Sequence, residues 1–410
     1  MHLKKWFQLN EKAKCSMTKK MKPKHQKSAL LCDASFSAIP LLQALKARGL
    51  FVAVCGSRAG DPCHELADAS FDIDYSNKKK LLKIVADNHF DYLVPGCTDV
   101  SYISSAWVAN QLGLPGYDGD QAVRVMNHKN EYRKFGKAMG YPIPAYETSV
   151  ENFQKVSFPA LLKPINSFSG RGIIKFDKYS SLRGFIDRGE LLALEGNVLL
   201  EEFAQGDLYS HSAFLKSGKI FTDFFVNEYC TVHPYQVNSS YVSTKLGVGI
   251  QKKMRAWLEN FAEDLNLVDG LLHTQFISDG KKIYLVESCR RCPGDLYSLL
   301  IQKSTSINYA SLFVSPFIGS PFSRVTQVRR RNYSRHTLSV DRDVIFMSAR
   351  MALENSKISY VPIKKAGEPL RAAPMDRAGI FFIESPSRRT MESLTRNLYK
   401  VAEIEVLDVK

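Results

Sequence analysis

Short apolar runs alternate with longer amphipathic stretches through the first 120 residues of the chain. The apolar runs predict strands at 29–32, 51–55, 71–75 and 92–94, and a helical period predicts helices at 39–48, 78–88 and 100–112. Short apolar strands that alternate with helices are typical of a parallel sheet covered on both faces. We therefore expect a parallel α/β domain over residues 28–120, with its ligand-binding edge at the carboxyl ends of the strands.

The first of these strand ends argues against a dinucleotide-binding domain. Residues 33–38 read Asp-Ala-Ser-Phe-Ser-Ala, without any glycine of the Gly-x-Gly-x-x-Gly fingerprint. A pyrophosphate group needs those glycines in order to approach the backbone closely. The turn therefore disfavours NAD binding, and a small polar substrate is the alternative ligand.

The pattern changes after Tyr117. Helical periods over 119–140, 179–188 and 249–266 are accompanied by strand signals at 160–164, 173–176, 198–203, 209–215, 219–228, 271–277 and 282–287. Strands with few crossover helices between them indicate an antiparallel α+β domain, which we place at 121–320. Residues 321–410 are expected to form a small mixed C-terminal segment, in which 379–383 is the clearest strand.

The net charge of +15 suggests a nucleic-acid partner at first, so its location matters. Residues 1–27 carry nine lysines and one glutamate, and residues 323–342 carry six arginines and one aspartate. These two segments account for 13 of the 15 net charges. We interpret 1–27 as a basic disordered tail, and the arginines at 329–331 with Arg335 as a solvated surface or a contact for an acidic partner. No nucleic-acid partner is expected.

Composition excludes two further classes of protein. Hydrophobic residues make up 45% of the chain, which is enough to fill a core and excludes a wholly disordered protein. No apolar run reaches the roughly 18–20 residues that a membrane-spanning helix needs. The eight cysteines are scattered along the chain. Scattered thiols are typical of a reducing compartment, so we expect a cytoplasmic protein.

The first segment with candidate chemistry follows the strand that ends at Lys163-Pro164. The loop after it contains Ser167, Ser169, Gly170 and Gly172. Glycines let backbone N–H groups turn toward an anion, hydroxyl groups donate hydrogen bonds, and the lysine adds a point charge. The segment predicts a phosphate cradle without a Walker sequence, and a hairpin loop with a surface lysine is the alternative.

Two later segments carry carboxylates at strand ends. Residues 198–206 are predicted to form an apolar strand that ends in Glu201-Glu202 and a turn. An ordinary surface strand can have the same pattern, so this segment alone says little about function. Further on, a hairpin turning at 279–282 brings Gln275 and Glu287 onto paired strands. Two oxygen ligands at a strand end suit Mg²⁺, and Arg291 beyond them can hold a phosphoryl or carboxylate oxygen. A charged strand end without a ligand is the alternative.

In order and spacing, these segments and Asn127-His128-Lys129 resemble the ATP-grasp superfamily. The resemblance covers residues 28 to about 320, because the preceding α/β domain is also similar to the domain that opens these enzymes. It implies that Lys129 and Lys163 hold the phosphates of ATP, with the 167–172 loop closing over them. Adenine contacts are implied for Glu201 and for the backbone of Glu202, Phe203 and Ala204.

The resemblance also implies that Gln275 and Glu287 bind Mg²⁺ and that Arg291 steadies the transferred phosphate. Glutamine rather than glutamate at position 275 resembles the large chain of carbamoyl phosphate synthetase, so the superfamily tolerates this variation. Cys289 stands where the family usually has asparagine, and a thiol is a poor Mg²⁺ ligand, so a second metal ion is not favoured. Leu208 stands where the family often has glutamate, and Asp207 is the candidate replacement.

The function implied by the resemblance is an ADP-forming carboxylate–amine ligase with ATP and Mg²⁺ as cofactors and with Lys163 and Arg291 as catalytic residues. It would activate a small-molecule carboxylate as an acyl phosphate and join it to an amine. No membrane partner is expected, and the oligomeric state stays open, with a homodimer as one alternative. A catalytically lapsed ATP-binding module with a regulatory role is the alternative function, favoured by Cys289 and Leu208.

The Cys289-x-x-Cys292 pair leaves a separate question open. A zinc site would need two more ligands nearby in sequence, and the sequence provides none. The pair is interpreted as bystander thiols. The alternative is a dithiol whose oxidation would distort the neighbouring site and stop its activity.

Overall fold

The computed structural model describes residues 25–165, 170–191, 197–325 and 328–409. Residues 1–24 of the expected tail therefore lie outside the described residues. The chain forms two compact units. The first contains the described residues up to Tyr117 together with Val314–Pro321, and the second contains Asp118–Phe313 and the residues from Phe322 onward. Within the described ranges, no helix is long and apolar enough to cross a membrane.

The first unit is built on a parallel sheet. Its strands are β1 (Ser28–Cys32), β2 (Phe51–Gly56), β3 (Ala69–Asp72) and β4 (Tyr92–Pro95), in the order β3-β2-β1-β4 with every pair parallel. The α-helices are Ile39–Lys46, Cys63–Leu66, Lys78–Asp87 and Asp99–Leu112, and 3₁₀ turns lie at Phe36–Ala38 and Pro316–Ile318. The predicted parallel α/β architecture is confirmed.

Asp33 connects two loops at the carboxyl edge of this sheet. Its carboxylate accepts hydrogen bonds from the backbone N–H of Ser35 at 2.8 Å and from that of Cys97 at 2.9 Å. A Cβ atom at Gly96 would collide with the Asp33 side chain, so only glycine allows this approach. The residues after β1 therefore organise the strand-end loops of the unit.

In the described part of the second unit, the strands form three antiparallel sheets. A small sheet consists of β5 (Tyr146–Glu147), β6 (Ala160–Pro164), β7 (Ile174–Phe176) and β8 (Val198–Glu202), in the order β5-β8-β6-β7. A large sheet contains β9 (Asp207–Lys216), β10 (Lys219–Tyr229), β11 (Ser239–Val242), β12 (Gly270–Ser278), β13 (Ile283–Cys289), β14 (Tyr333–Leu338), β16 (Lys357–Pro362) and β18 (Gly379–Glu384). Its order is β13-β12-β9-β10-β11-β14-β18-β16. The third sheet pairs β15 (Val344–Met351) with β17 (Pro369–Leu370) and β19 (Ala402–Asp408).

The helices of this unit cover its sheets. They are Asp120–Asn127, Lys129–Ala138, Tyr179–Asp187, Val248–Asp264, Tyr297–Thr305, Tyr309–Val314 and Arg388–Asn397, with 3₁₀ turns at Val150–Lys155 and Leu398–Lys400. The longest helix, Val248–Asp264, buries Ile250, Met254, Leu258 and Phe261, which recur every three or four residues along one face. That face packs against apolar residues of β9, β10 and β12, so its periodicity is that of a core helix.

Strands β14, β16 and β18, which follow residue 321, continue the large sheet. The apolar pattern predicts a separate small segment over 321–410, whereas β14 pairs with β11, β18 with β14 and β16 with β18. Tyr241 is the cross-strand partner of Ser334, far along the chain. Pairing between such distant residues leaves no local signal in the apolar pattern, which explains the difference.

Candidate active site

Lys163 and Glu201 meet on adjacent strands of the small sheet. Lys163 is on β6 and Glu201 is on β8, two residues along from the cross-strand partner of Lys163. The ammonium group of Lys163 donates a hydrogen bond to Oε1 of Glu201. Arg133, from the helix Lys129–Ala138, donates to Oε2 through Nε at 3.0 Å and through Nη2 at 2.8 Å. The side chains of Arg133 and Glu201 are each 3% exposed and that of Lys163 is 9% exposed. The three therefore form a buried charged cluster.

Electrostatics favours the ionised form of Glu201. Burial by itself raises the pKa of this carboxyl, but the charges of Arg133 and Lys163 and their hydrogen bonds outweigh burial and hold the pKa below its usual range. Arg133 also donates through Nη1 to the carbonyl of Val286 on β13, at 2.8 Å. The guanidinium group therefore links the small sheet, its own helix and the large sheet.

Lys129 lies close to the start of the glycine loop. Its ammonium group donates to the carbonyl of Ile165, just after Lys163, at 3.3 Å. Gly170 and Gly172 have φ angles of +74° and +70°, and a Cβ at Gly170 would collide with the carbonyl of Tyr235. Both glycines thus occupy a backbone region that other residues adopt only with strain. Ser167 and Ser169 lie outside the described residues.

The backbone after Glu201 is partly engaged within the fold. The N–H of Glu202 donates to the carbonyl of Ala145, and the N–H of Phe203 donates to that of Pro159, both at 2.9 Å. These two N–H groups are therefore already paired within the fold, and the adenine contact expected for 202–204 stays a prediction. The Phe203 ring is half-buried, with the ammonium of Lys175 lying 4.8 Å from its centroid.

The chain then passes from the small sheet to the large one through a tight turn. Gly206 has a φ of +144°, and a Cβ there would lie 2.6 Å from the carbonyl oxygen of Ser278. Asp207, the candidate replacement for a family glutamate, is exposed, and its carboxylate lies 3.9 Å from the guanidinium of Arg396. Ala204 is buried before the turn.

Gln275 and Glu287 are cross-strand partners on β12 and β13, as the hairpin predicted. Gln275 is half-buried and Glu287 is exposed. An amide oxygen and a carboxylate are hard oxygen donors, so the pair has the chemistry to hold Mg²⁺ with one or two protein ligands. Among the described residues, no group of three or more His, Cys, Asp and Glu side chains is arranged to hold a metal ion.

Glu228 is a carboxylate of this region that sequence reasoning missed. It lies on β10, is 5% exposed, and accepts a hydrogen bond of 2.6 Å from Nε2 of Gln275. Burial raises its pKa, and the negative charge of Glu287 raises it further, although Ser210, Arg335 and Gln275 act in the opposite direction. The available signal was a charged residue inside the apolar run that ends β10.

Two arginines expected on the surface are buried here. The helical period over 119–140 predicts Arg133 on an exposed helix face, and the arginine stretch predicts a solvated Arg335, but their exposures are 3% and 4%. The guanidinium of Arg335 donates to Oγ of Ser240 and to the carbonyl of Asp295, both at 3.1 Å. The expected exposure is wrong for both residues, because tertiary neighbours supply acceptors that the local pattern does not show.

The adjacent arginines after β13 have different surroundings. Arg290 is buried and pairs with the carboxylate of Asp118 at 2.8 Å, which is a structural role. Arg291 is half-buried, and its charge adds to burial in lowering the pKa of His273 to about 3. The side chains of Cys289 and Cys292 are buried. Of the two arginines, Arg291 is the one that remains the candidate for phosphate contact.

Sequence and structure comparisons place the chain among known proteins. No protein-family model matches the chain. The formate-dependent phosphoribosylglycinamide formyltransferase of Prochlorococcus marinus (strain MIT 9515) is 23% identical over 360 residues, which are 81% of this chain and 87% of that protein. The carbamoyl phosphate synthase large chain of Vibrio parahaemolyticus is 28% identical over 152 residues, 35% of this chain and 14% of that one. The crystal structure of L-amino acid ligase from Bacillus licheniformis superposes with a TM-score of 0.75 at 15% identity, covering 94% of this chain and 99% of the ligase.

These similarities agree with the motif order found in the sequence. The match to the formyltransferase runs through most of both chains, and the structural match covers nearly the whole molecule. The resemblance to the ATP-grasp superfamily inferred from four short segments and the predicted fold class are thereby confirmed.

Proposed function

We propose that the protein is an ATP-dependent, ADP-forming ligase that joins a small-molecule carboxylate to an amine. The observation that carries the proposal is the buried cluster of Lys163, Arg133 and Glu201, in which two cations surround one anion. Buried charge is costly unless a partner of opposite sign compensates it. An anionic nucleotide bound beside Lys163 is such a partner.

Nucleotide phosphates would bind where the two lysines come together. The hydrogen bond from Lys129 to Ile165 brings its ammonium to the segment that directly follows Lys163. The left-handed backbone at Gly170 and Gly172 is the kind that turns N–H groups toward an anion. Lys129, Lys163 and this loop together would orient the terminal phosphoryl group for in-line transfer.

Gln275 and Glu287 would hold Mg²⁺ at the other side of the phosphates. Bound Mg²⁺ would supply charge neutralisation on the phosphoryl oxygens. Arg291, which follows β13, would contact the transferred phosphoryl group with its planar guanidinium. The chain's own contribution is therefore positioning and electrostatic stabilisation, with no covalent intermediate on the protein.

The reaction has two steps. A carboxylate oxygen of the substrate attacks the γ-phosphorus, the bond from that phosphorus to the bridging oxygen breaks, and an acyl phosphate and ADP result. The amine nitrogen then attacks the acyl carbon, phosphate leaves with its oxygen, and the nitrogen loses a proton to solvent. Closing the glycine loop would keep water away from the acyl phosphate.

The test is ADP formation by the purified protein with pooled amino acids and small carboxylic acids. Glu287→Ala and Lys163→Ala are each expected to remove ADP formation while the circular dichroism spectrum is retained. Glu354→Ala, at an exposed position of the second unit, is the matched control and should keep full activity. Full activity in either site variant would refute the site assignment.

The second candidate is an ATP-binding module without catalysis. It is favoured by Cys289 and Leu208, which replace the asparagine and glutamate usual in the superfamily. Stoichiometric ATP binding with no ADP released across the whole substrate panel would support this candidate against the ligase.

A further inference from the structure

The proposed magnesium site contains an amide where a carboxylate is the simpler ligand. A carboxylate has two equivalent oxygens, so either one can meet a cation. The amide of Gln275 has one oxygen, which can bind a cation, and one NH₂ group, which cannot. A site that uses glutamine therefore needs something to set which end of the amide faces the metal.

Glu228 has the position and the chemistry to set that orientation. Its Oε2 atom accepts a hydrogen bond of 2.6 Å from Nε2 of Gln275, which is the donor end of the amide. With the NH₂ end bound to Glu228 on β10, the amide oxygen is directed away from Glu228. The cross-strand partner of Gln275 on β13 is Glu287, the other proposed metal ligand.

Glu228 is itself held in place by the sheet. Ser210, the β9 neighbour of Gln275, hydrogen-bonds the Glu228 carboxylate. Ser210 is also within hydrogen-bonding distance of the hydroxyl of Tyr297, at 3.1 Å. At 5% exposure, Glu228 has little room to adopt another conformation. The hydroxyl of Ser210 therefore holds the carboxylate of Glu228, and that carboxylate in turn holds the amide of Gln275.

We propose that Glu228 is a positioning residue that fixes the amide of Gln275, so that its oxygen and the Glu287 carboxylate face one divalent cation. The inference rests on the proposed function, since it concerns the cation of the same site. It explains how a glutamine can stand in a metal pair. Outer hydrogen-bond partners of metal ligands commonly change metal affinity by about 10- to 100-fold, so the effect is measurable.

The experiment is a double-mutant cycle read by Mn²⁺ binding in the presence of ADP, using electron paramagnetic resonance on the full chain. With glutamine at 275, Glu228→Gln is expected to weaken Mn²⁺ binding by about tenfold or more, because a second amide can pair with either end of the first. With Gln275→Glu in the background, Glu228→Gln is expected to cause no loss, because a carboxylate has no orientation to be set.

This difference between backgrounds separates positioning from a general charge effect. An equal loss of Mn²⁺ affinity in both backgrounds would show that Glu228 acts only through its charge or through the fold, and would overturn the inference. No loss in either background would also overturn it. A wild-type protein that binds neither ADP nor Mn²⁺ would refute the proposed function, and the inference with it.

Two further variants guard against a folding artefact. Glu228→Asp keeps the charge but shortens the side chain by one methylene, so it should also weaken Mn²⁺ binding when glutamine is at 275. Glu392→Gln makes the same chemical change at another buried glutamate, which contacts Thr244, Lys245 and Arg388. It should leave Mn²⁺ affinity unchanged, and an unchanged affinity in Glu228→Asp would contradict the positioning role.

Discussion

Replacing Glu201 by glutamine is expected to destabilise the protein far more than replacing Lys163 by methionine. Glu201 is the single anion between the ammonium of Lys163 and the guanidinium of Arg133, and all three side chains are at most 9% exposed. Glu201→Gln leaves two buried cations beside a neutral amide. Lys163→Met leaves the Arg133–Glu201 pair intact and changes the charge of the cluster from +1 to zero.

The magnitudes follow from charge separation and burial. Two unit charges about 4 Å apart interact by about 4 kcal/mol at an effective dielectric constant of 20, and Glu201 has two such partners. Removing one member of a buried ion pair commonly costs about 3–5 kcal/mol, because a charge is left without its partner. We expect a loss in that range for Glu201→Gln, and a loss within about 1 kcal/mol for Lys163→Met, whose side chain is similar in size.

Thermal unfolding followed by circular dichroism measures the difference. At roughly 2 °C per kcal/mol for a large unit, Glu201→Gln should lower Tm by roughly 6–10 °C, and Lys163→Met by roughly 2 °C or less. Added MgADP should raise the Tm of the wild type but not that of either variant, because both lose nucleotide contacts. Equal Tm losses in the two variants would refute the electrostatic reasoning for the cluster.

Two other predictions concern pH and the glycine loop. The pKa of His273 is lowered to about 3 by burial and by Arg291, so below pH 6.5 the unfolded chain binds a proton that the folded chain does not. The unfolding free energy is therefore unaffected by His273 above about pH 6.5. Below that pH, the excess proton on the unfolded chain lowers it by about 1.4 kcal/mol per pH unit toward pH 3. His273→Asn should reduce the slope of unfolding free energy against pH by that amount, and an unchanged slope would contradict the assignment. Gly170→Ala should weaken ADP binding in calorimetry and lower Tm more than Gly218→Ala, because both have a φ of +74° but only Gly170 also meets the carbonyl of Tyr235. Equal effects of the two changes would show that the close approach at Gly170 has no consequence.

The sequence predicted the elements of the first unit closely because their signals are local. The expected helix at 78–88 is observed as Lys78–Asp87, and the expected strand at 92–94 as Tyr92–Pro95. The strand expected at 71–75 is displaced to Ala69–Asp72, where β3 pairs with β2. The bounds of β3 are set by which residues pair with β2. The apolar pattern of one segment does not contain this information.

For the candidate site, the sequence identified residues whose chemistry is visible in their type and order. Lys163, Glu201, Gln275 and Glu287 were selected in this way, and the structure brings them together in two pairs on neighbouring strands. Arg133 could not be selected, since its period on an amphipathic helix equally fits a solvated lysine or arginine. Its burial follows from the acceptors that β8 and β13 place beside it.

The sequence by itself determined the parallel α/β unit, the antiparallel strands of the second unit and the order of the segments that mark the superfamily. These depend on side-chain period, turn chemistry and spacing, which are all local properties. Only the tertiary structure decided that β14, β16 and β18 extend the large sheet, and that Glu228 lies against Gln275. Both depend on pairing between strands that are far apart in the chain. In addition, a buried polar group such as the Glu228 carboxylate is stable only where the assembled fold supplies its partner.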